Sequence, residues 1–375
     1  MAPIRFVHCA DLHLGARFGM LPLQVARARR EQQRDAFAKA VDIALDPASP
    51  AAVFLIAGDS FDGESPHPTD LSFFTQQLRR LQEKGVRTFI IPGNHDRYLP
   101  GSWWDRAALP VEMAFKKPGP QQCVLADLDL TVAALPADPA RSSVNLLRGA
   151  ELKIETHRSI LLFHATWLNF GGEECEADWH PFSTDDLAAL PVNYVALGHY
   201  HHLREATPPH GPVSFYPGTP EAIGFGPGCD DPGAIISGSI TDDGTVLVQP
   251  RKVAAGRHRK LRIDCTHESP ESLERAVGDG LESRDYVLVE LAGTPPAQTV
   301  AAAEGLADRL QGRCAYLSVQ IGFEDLGAIP EDNVYFTKFR EAIAQKLAEA
   351  PEADKPRWRR ALELGTVAFI SSRDR

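Results

Sequence analysis

Val53-Phe54-Leu55-Ile56-Ala57-Gly58-Asp59 is a run of five consecutive apolar residues that stops at a glycine and then presents an acid. A strand with one wet face alternates apolar and polar side chains, whereas an unbroken run rich in Val, Ile, Leu and Phe belongs to a strand covered on both faces. The design recurs on either side. Runs at 4–9, 88–92, 159–163 and 194–197 end at Asp11-Leu12-His13, Gly93-Asn94-His95-Asp96, His164 and Gly198-His199-Tyr200-His201. Helical periodicity fills two of the gaps, at 23–45 and 69–84, which gives the strand-helix alternation of a layered α/β domain. In such sheets the carboxyl ends of the strands open on one crevice, where residues far apart in sequence meet.

Farther along, 213–253 reads as short strands separated by Gly, Pro and Asp-Asp-Gly turns, and a second, more antiparallel sheet closing the same domain is expected there. The basic stretch Arg251-Lys252-Val253-Ala254-Ala255-Gly256-Arg257-His258-Arg259-Lys260 marks a domain boundary. The expected division is 1–255 for the first domain, 256–328 for a small βαβαβ unit and 329–375 for a helical tail. In the small unit the segments are 261–264, 268–281, 286–292, 297–310 and 315–321. In the tail Tyr335, Phe339, Ile343 and Leu347 repeat at i+4, and a second segment centres on Trp358, Ala361 and Leu362.

Hydrophobic residues at 43% and charged residues at 24% supply real cores and argue against wholesale disorder. With 39 Lys and Arg against 50 Asp and Glu, the net charge of -11 gives no global attraction to nucleic acid, so a polyanion would need local basic patches or metal ions. Six cysteines without a CxxC pair argue against a zinc knuckle or a disulfide framework and fit reduced thiols. Nothing at the N-terminus reads as a secretory signal and no apolar run reaches membrane-spanning length, so a cytoplasmic protein without a membrane partner is expected.

Asp11, His13, Asp59, Asn94, His164, His199 and His201 mix imidazole, carboxylate and side-chain amide with no thiolate. That donor set suits Mn, Fe or Zn rather than a structural zinc or an oxygen-only calcium site. Seven donors are too many for one ion, whereas a pair of ions sharing one carboxylate, roughly 3.5 to 4 Å apart, accommodates them. Such a pair keeps a net positive charge against Asp11 and Asp59, grips phosphate oxygens and stabilises an in-line displacement. Each motif alone is weak, because Asp-Leu-His or Gly-Asp is also a cap or a turn and a strand-end histidine is often a satisfied core residue. Five in order, each after a buried run, outweigh that reading. His8 and His202 have no such context and read as pocket wall or as residues that support the donors from behind.

The series D-x-H, G-D, G-N-H-D, H and G-H-x-H resembles the calcineurin-like metallophosphoesterase superfamily. The resemblance implies an α/β (α+β) fold, an α/β/β/α sandwich, with Asp11, His13, Asp59 and His201 on one metal and Asp59, Asn94, His164 and His199 on the other. Asp59 would be the bridge. His95 would stabilise the transition state or protonate the leaving oxygen, oriented by Asp62. Phosphoprotein phosphatases of that superfamily carry Arg where this chain has Gly63, which points away from phosphomonoesters.

His8-Cys9-Ala10-Asp11-Leu12-His13-Leu14-Gly15, the Gly58-Asp59-Ser60-Phe61-Asp62 segment and the layout of small domain and tail further resemble SbcD-type DNA-repair exonuclease subunits. This likeness implies a phosphodiesterase that cleaves DNA as an exo/endonuclease with two divalent ions, Mn first and Mg, Fe or Zn as alternatives. It also implies a small domain that caps the site, an SbcC-like coiled-coil ATPase bound through the tail helices and, left open, a homodimer. Candidate phosphate contacts are Arg17, Arg27, Arg29, Arg30, Arg34, Arg97, Tyr98 and the basic stretch at 251–260, although most such charges are simply a solvated face. Trp103 and Trp104 are read as buried, with base stacking as the alternative. A phosphodiesterase of small or cyclic nucleotides competes with the nuclease. A non-enzymatic subunit that keeps a structural metal site is disfavoured by the intact His95 and Asp62.

Overall fold

The computed structural model describes residues 2–168, 179–226, 233–293, 295–322, 334–351 and 354–371. The chain forms two compact units, Met1–Arg257 and His258–Arg375. The first runs β1 (Ile4–Cys9), α1 (Leu23–Ala44), β2 (Val53–Ala57), α2 (Pro68–Glu83), β3 (Arg87–Ile91), α3 (Trp103–Arg106) and β4 (Met113–Ala114). It continues through β5 (Gln121–Leu125), β6 (Leu130–Leu135), β7 (Arg158–His164), α4 (Thr184–Ala188), β8 (Tyr194–Gly198), β9 (Arg204–Glu205), β10 (Val213–Tyr216), β11 (Ala234–Ile240) and β12 (Val246–Lys252).

These strands make two six-stranded sheets, ordered β12-β11-β1-β2-β3-β4 and β5-β6-β7-β8-β10-β9. The unbroken apolar runs are explained by what covers them. On β2, Val53, Leu55 and Ala57 face a core shared with Val132, Ile160 and Ala196 of the other sheet. Phe54 and Ile56 point the opposite way, into a core built with Phe37 and Val41 of α1 and Phe74 and Leu78 of α2. Leu161, Phe163, Val195 and Leu197 form a third layer with Phe182 and Leu187 on the outer face of the second sheet. The expected α/β/β/α sandwich is therefore present, with its second outer layer, among the described residues, built of one short helix and irregular chain. Trp103 and Trp104 are both 3% exposed, packed with Phe61, and are not available to stack on a base.

Two expectations are corrected. The five buried runs belong to both sheets: β1, β2 and β3 lie in the first, β7 and β8 in the second. Nor does 213–253 form a sheet of its own. β10 adds parallel to β8, and β11 adds antiparallel to β1 with Gly238 opposite Phe6. An open strand edge is a row of unpaired N–H and C=O groups; β10 extends the edge at β8, while β11, paired with β12, extends the edge at β1, so the segment adds to two existing sheets. Gly238 gives Phe6 its space, since a Cβ there would come within 2.3 Å of the ring.

The second unit runs β13 (Arg257–Asp264), α5 (Pro270–Gly278), β14 (Asp285–Ala292), α6 (Ala297–Glu304), α7 (Leu306–Leu310), β15 (Tyr316–Ile321), α8 (Val334–Glu349) and α9 (Lys355–Ser371). Its three strands form one sheet in the order β13-β14-β15, the βαβαβ arrangement. The helix expected over 297–310 is broken at Gly305. The basic stretch is no open linker: its second half is strand β13, where Arg259 donates to the Gly280 carbonyl and Lys260 pairs with Glu290 at 2.9 Å.

In the tail the apolar stripe keeps Phe339, Ile343 and Leu347 but begins at Phe336 rather than Tyr335. Phe336 and Ile343 are buried, while Tyr335 is 79% exposed. A strict i+4 repeat drifts by about 40° per step around a helix of 3.6 residues per turn, so the face that packs follows Phe336, Phe339, Ile343 and Leu347. Gly365 of α9 lies against the Phe339 ring, where a Cβ would come within 2.0 Å. No described helix is long and apolar enough to cross a membrane. Cys9, Cys123, Cys265 and Cys314 are free thiols; Cys175 and Cys229 lie outside the described residues.

The first position of the stripe makes a prediction. Ile343→Ala should cost about 2–4 kcal/mol, as a buried large-to-small change does, whereas Tyr335→Ala should stay within about 0.5 kcal/mol of the parent. Denaturant unfolding of the full chain reads both, and equal losses would refute the register.

Candidate metal centre

The loops that leave β1 and β2 are zipped together. Asp11 N–H donates to the Gly58 carbonyl at 3.1 Å, His13 N–H to that of Asp59 at 3.0 Å and Leu14 N–H to that of Ser60 at 3.0 Å. These rungs hold three non-glycine residues in left-handed backbone, Asp11 at φ 52°, His13 at 45° and Asp59 at 49°, and His199 on the facing loop has φ 112°. Such conformations cost on the order of 1–3 kcal/mol each and persist where the surroundings over-determine them. His199 N–H donates to both oxygens of Asp11 at 3.1 Å, which stitches β8 to β1, and His95 N–H donates to Asp59 Oδ1 at 2.8 Å, which stitches β3 to β2.

The side chains then converge. Nε2 of His13 and Nε2 of His201 are 3.0 Å apart, and Asp11, His13 and His201 bring their donor atoms within 4.8 Å of one another. On the other side Asn94 Oδ1 lies 2.8 Å from His164 Nε2 and 3.0 Å from His199 Nδ1. Asp59 stands between the two groups, with Oδ2 3.7 Å from His13 Nε2 and 3.5 Å from His164 Nε2. His164 donates through Nδ1 to the Ala57 carbonyl at 2.9 Å, so its Nε2 keeps a lone pair.

Burial pushes Asp11 well above the usual carboxylate range, and the charge of Asp59 adds to it. For Asp59 burial also acts upward, but His164, His13 and His95 outweigh it and hold the group below its ordinary value. Burial lowers His164 to about 4 and, with the neighbouring His13, His201 to about 3. Imidazole nitrogens that face each other or an amide oxygen, beside two buried carboxylates, form a compact set of metal donors. The residues fit a pair of divalent cations.

His95 stands apart from these donors. Its side chain is 43% exposed, its ring packs edge-on against His13, and Nδ1 is 3.2 Å from Asp62 Oδ1. The hydrogen bond to Asp62 raises its pKa, while the bonds from His13 and His95 hold Asp62 far below the usual carboxylate range. His8 is not pocket wall: it is wholly buried between the sheets, bonded to the Tyr194 hydroxyl at 2.9 Å and the Leu197 carbonyl at 3.1 Å.

Sequence reasoning passed over two features. Asp96, fully buried, accepts N–H groups from Gly93 at 2.8 Å and Ser60 at 2.9 Å and so locks the β3 loop to the β2 loop; burial, with the charge of Asp59, pushes it up to about 7. The other is the glycine that precedes a donor in three motifs. A Cβ on Gly58 would lie 2.2 Å from His164 Nδ1, on Gly93 2.0 Å from Asp59 Oδ1 and on Gly198 1.9 Å from the Ala57 carbonyl oxygen. Each glycine leaves the space that a neighbouring group fills, and its recurrence before a donor was the available signal.

Among the arginines, Arg17 and Arg27 are exposed and Arg30 is half-buried. Arg29 is not a surface contact: it is fully buried and paired with Glu221 at 2.8 Å, because helical periodicity turns it inward. Arg34 pairs with Asp70, Arg97 with Glu64, and Tyr98 packs half-buried against the core.

Gly93→Ala should force Asp59 out of place. We expect a folded protein whose divalent-ion affinity falls about 10–100-fold, the range for losing a group that orients a ligand, as read by Mn titration of the metal-free protein. Unchanged affinity would show that the close approach of Gly93 and Asp59 does not matter.

A family model described as calcineurin-like phosphoesterase matches residues 4–203. The chain is 28% identical over 235 residues to the uncharacterized metallophosphoesterase YhaO of Bacillus subtilis, a region covering 59% of this chain and 54% of that protein. It is 27% identical over 233 residues to the DNA double-strand break repair protein Mre11 of Saccharolobus solfataricus, covering 59% and 55%. With the Mre11 of Haloferax volcanii it shares 25% identity over 354 residues, covering 92% and 74%. The chain spans about half the length of the first two of these relatives. The family match takes in more than half of the chain and every donor from Asp11 to His201, so this protein belongs to the calcineurin-like phosphoesterase family, whose members are binuclear metal-dependent phosphoester hydrolases.

Proposed function

We propose that the chain is a phosphodiesterase that cleaves DNA as an exo/endonuclease in DNA repair, with Mn as its metal. The reading rests above all on His95 and Asp62, a polarised and half-exposed pair beside a buried donor cluster. Asp11, His13, Asp59 and His201 would hold one ion, and Asp59, Asn94, His164 and His199 the other. Bound there, two divalent ions would supply Lewis-acid polarisation of the phosphate and activation of water.

The rest is done by the chain itself. Asp62 takes the Nδ1 side of His95, which leaves Nε2 to hold a proton for the departing oxygen. Gly63 has φ 143° and nothing within 4 Å of where a Cβ would sit, so the position beside Asp62 is open where a phosphatase arginine would stand. That favours a phosphate esterified on both sides. Exposed Arg17 and Arg27, with Arg30 behind them, would meet the phosphate backbone, whereas Arg97 would first have to leave Glu64 and Tyr98 the core. The relatives named for double-strand break repair support DNA as substrate. By the same likeness we place the protein in the cytoplasm with an SbcC-like coiled-coil ATPase, met by the outward Tyr335 side of the α8–α9 pair.

His95→Ala should retain both ions and lose about 10²- to 10⁴-fold in cleavage. The raised pKa of His95 keeps it protonated to higher pH, so Asp62→Asn, which removes the cause, should move the alkaline limb of the rate profile to lower pH. No movement of that limb would exclude His95 as the proton donor. The substrate is tested with Mn-loaded protein on labelled duplex and single-stranded DNA, bis-p-nitrophenyl phosphate and cyclic nucleotides. Turnover of the small esters without DNA cleavage, even with a matching ATPase added, would rule out the nuclease.

A further inference from the structure

The first helix carries a buried arginine whose ion pair lies with a distant acid. Arg29 on α1 is 0% exposed, and its partner Glu221 is 2% exposed. Nη1 of Arg29 is 2.8 Å from Glu221 Oε1, Nη2 donates to the Ala222 carbonyl at 2.7 Å, and the guanidinium lies 5.6 Å from the centre of the Phe18 ring. These contacts land on two loops. Phe18 belongs to the turn after His13, in which Ala16 N–H donates to the His13 carbonyl at 3.1 Å. One helical turn along α1, the Gln33 amide donates to the same carbonyl at 3.1 Å.

Glu221 and Ala222 follow β10 in a loop pressed against His201. Thr219 N–H donates to the His201 carbonyl at 3.3 Å, and a Cβ on Gly218 would come within 2.8 Å of that oxygen. Ile223 of this loop packs against the cluster of Ala16, Phe18 and Ala26, and the second oxygen of Glu221 accepts the Ala255 N–H at 2.7 Å. His13 and His201, 188 residues apart in sequence, meet at 3.0 Å with this strut spanning the loops behind them.

We propose that Arg29 and Glu221 are positioning residues that hold the loops of His13 and His201 at their working separation, and so set the affinity of the Asp11, His13 and His201 group for its ion. The proposal rests on the two-ion reading of the site. A buried ion pair adds little net stability, because desolvation offsets its attraction, whereas the hydrogen bonds that its two ends make, to the Ala222 carbonyl and from the Ala255 N–H, specify geometry. The Asn94 group is braced elsewhere, by His164 on the Ala57 carbonyl, and is therefore spared.

The test is titration of Mn into metal-free full-length protein, followed by calorimetry and by the Mn spin-resonance signal. The parent binds two ions; Glu221→Gln and Arg29→Met each weaken one of them about tenfold or more, the range for a residue that orients a ligand, and leave the other unchanged. The double variant Arg29→Met with Glu221→Met leaves no buried charge, so its Tm returns to the parent value while the weak site stays weak. The proposal is overturned if both single variants bind two ions as the parent does, or if the double variant regains ion affinity together with Tm. A parent that binds fewer than two ions fails the two-ion reading itself, which is seen before any variant is made.

Discussion

Asp59 is a carboxylate with 1% of its surface exposed, set between His13 and His164, with a backbone N–H of the β3 loop on its other oxygen. Placing that charge out of water costs several kcal/mol unless hydrogen bonds and opposite charge offset it. The features around it serve that offset. Imidazoles close in from both sheets, Asp11 lies near enough to be pushed up by its charge, and the position in front of it is a glycine because any side chain would occupy the carboxylate's own space. A donor cluster that is poorly satisfied without cations is thereby suited to bind them, and stability and ion affinity would then be two aspects of one arrangement.

The sandwich supplies rigidity where the loops carry strain. Left-handed backbone at Asp11, His13, Asp59 and His199 is held by cross-loop hydrogen bonds anchored in strands with fully buried side chains. Beneath the site His8 bridges the sheets through Tyr194 and the Leu197 carbonyl, and burial, which lowers its pKa to about 3, keeps it neutral and so compatible with the apolar core. Donors from the two sheets can then be held in a fixed geometry, which loops on a softer scaffold would not maintain. His95 and Asp62, by contrast, are partly exposed, which suits the proposed proton transfer from His95 to a substrate.

The sequence by itself determined which donor types stand at the strand ends and the kind of layer that carries them. Unbroken apolar runs ending at Asp11, Asp59, Asn94, His164 and His199 were legible because burial on both faces and a donor at the strand end are local properties. The second unit's alternation of strand and helix was legible for the same reason. What only the tertiary structure decided are pairings and directions. That β10 and β11 complete two different sheets, that Asp96 locks loops and that Gly58, Gly93 and Gly198 make room for neighbouring groups all depend on partners tens of residues away. Arg29 looks like its neighbours Arg27 and Arg30 in sequence, yet one turns inward to Glu221; likewise Phe336, not Tyr335, faces the tail's core. A residue's type and spacing state what it can do, but which way it faces and what it meets is settled by packing across the whole chain.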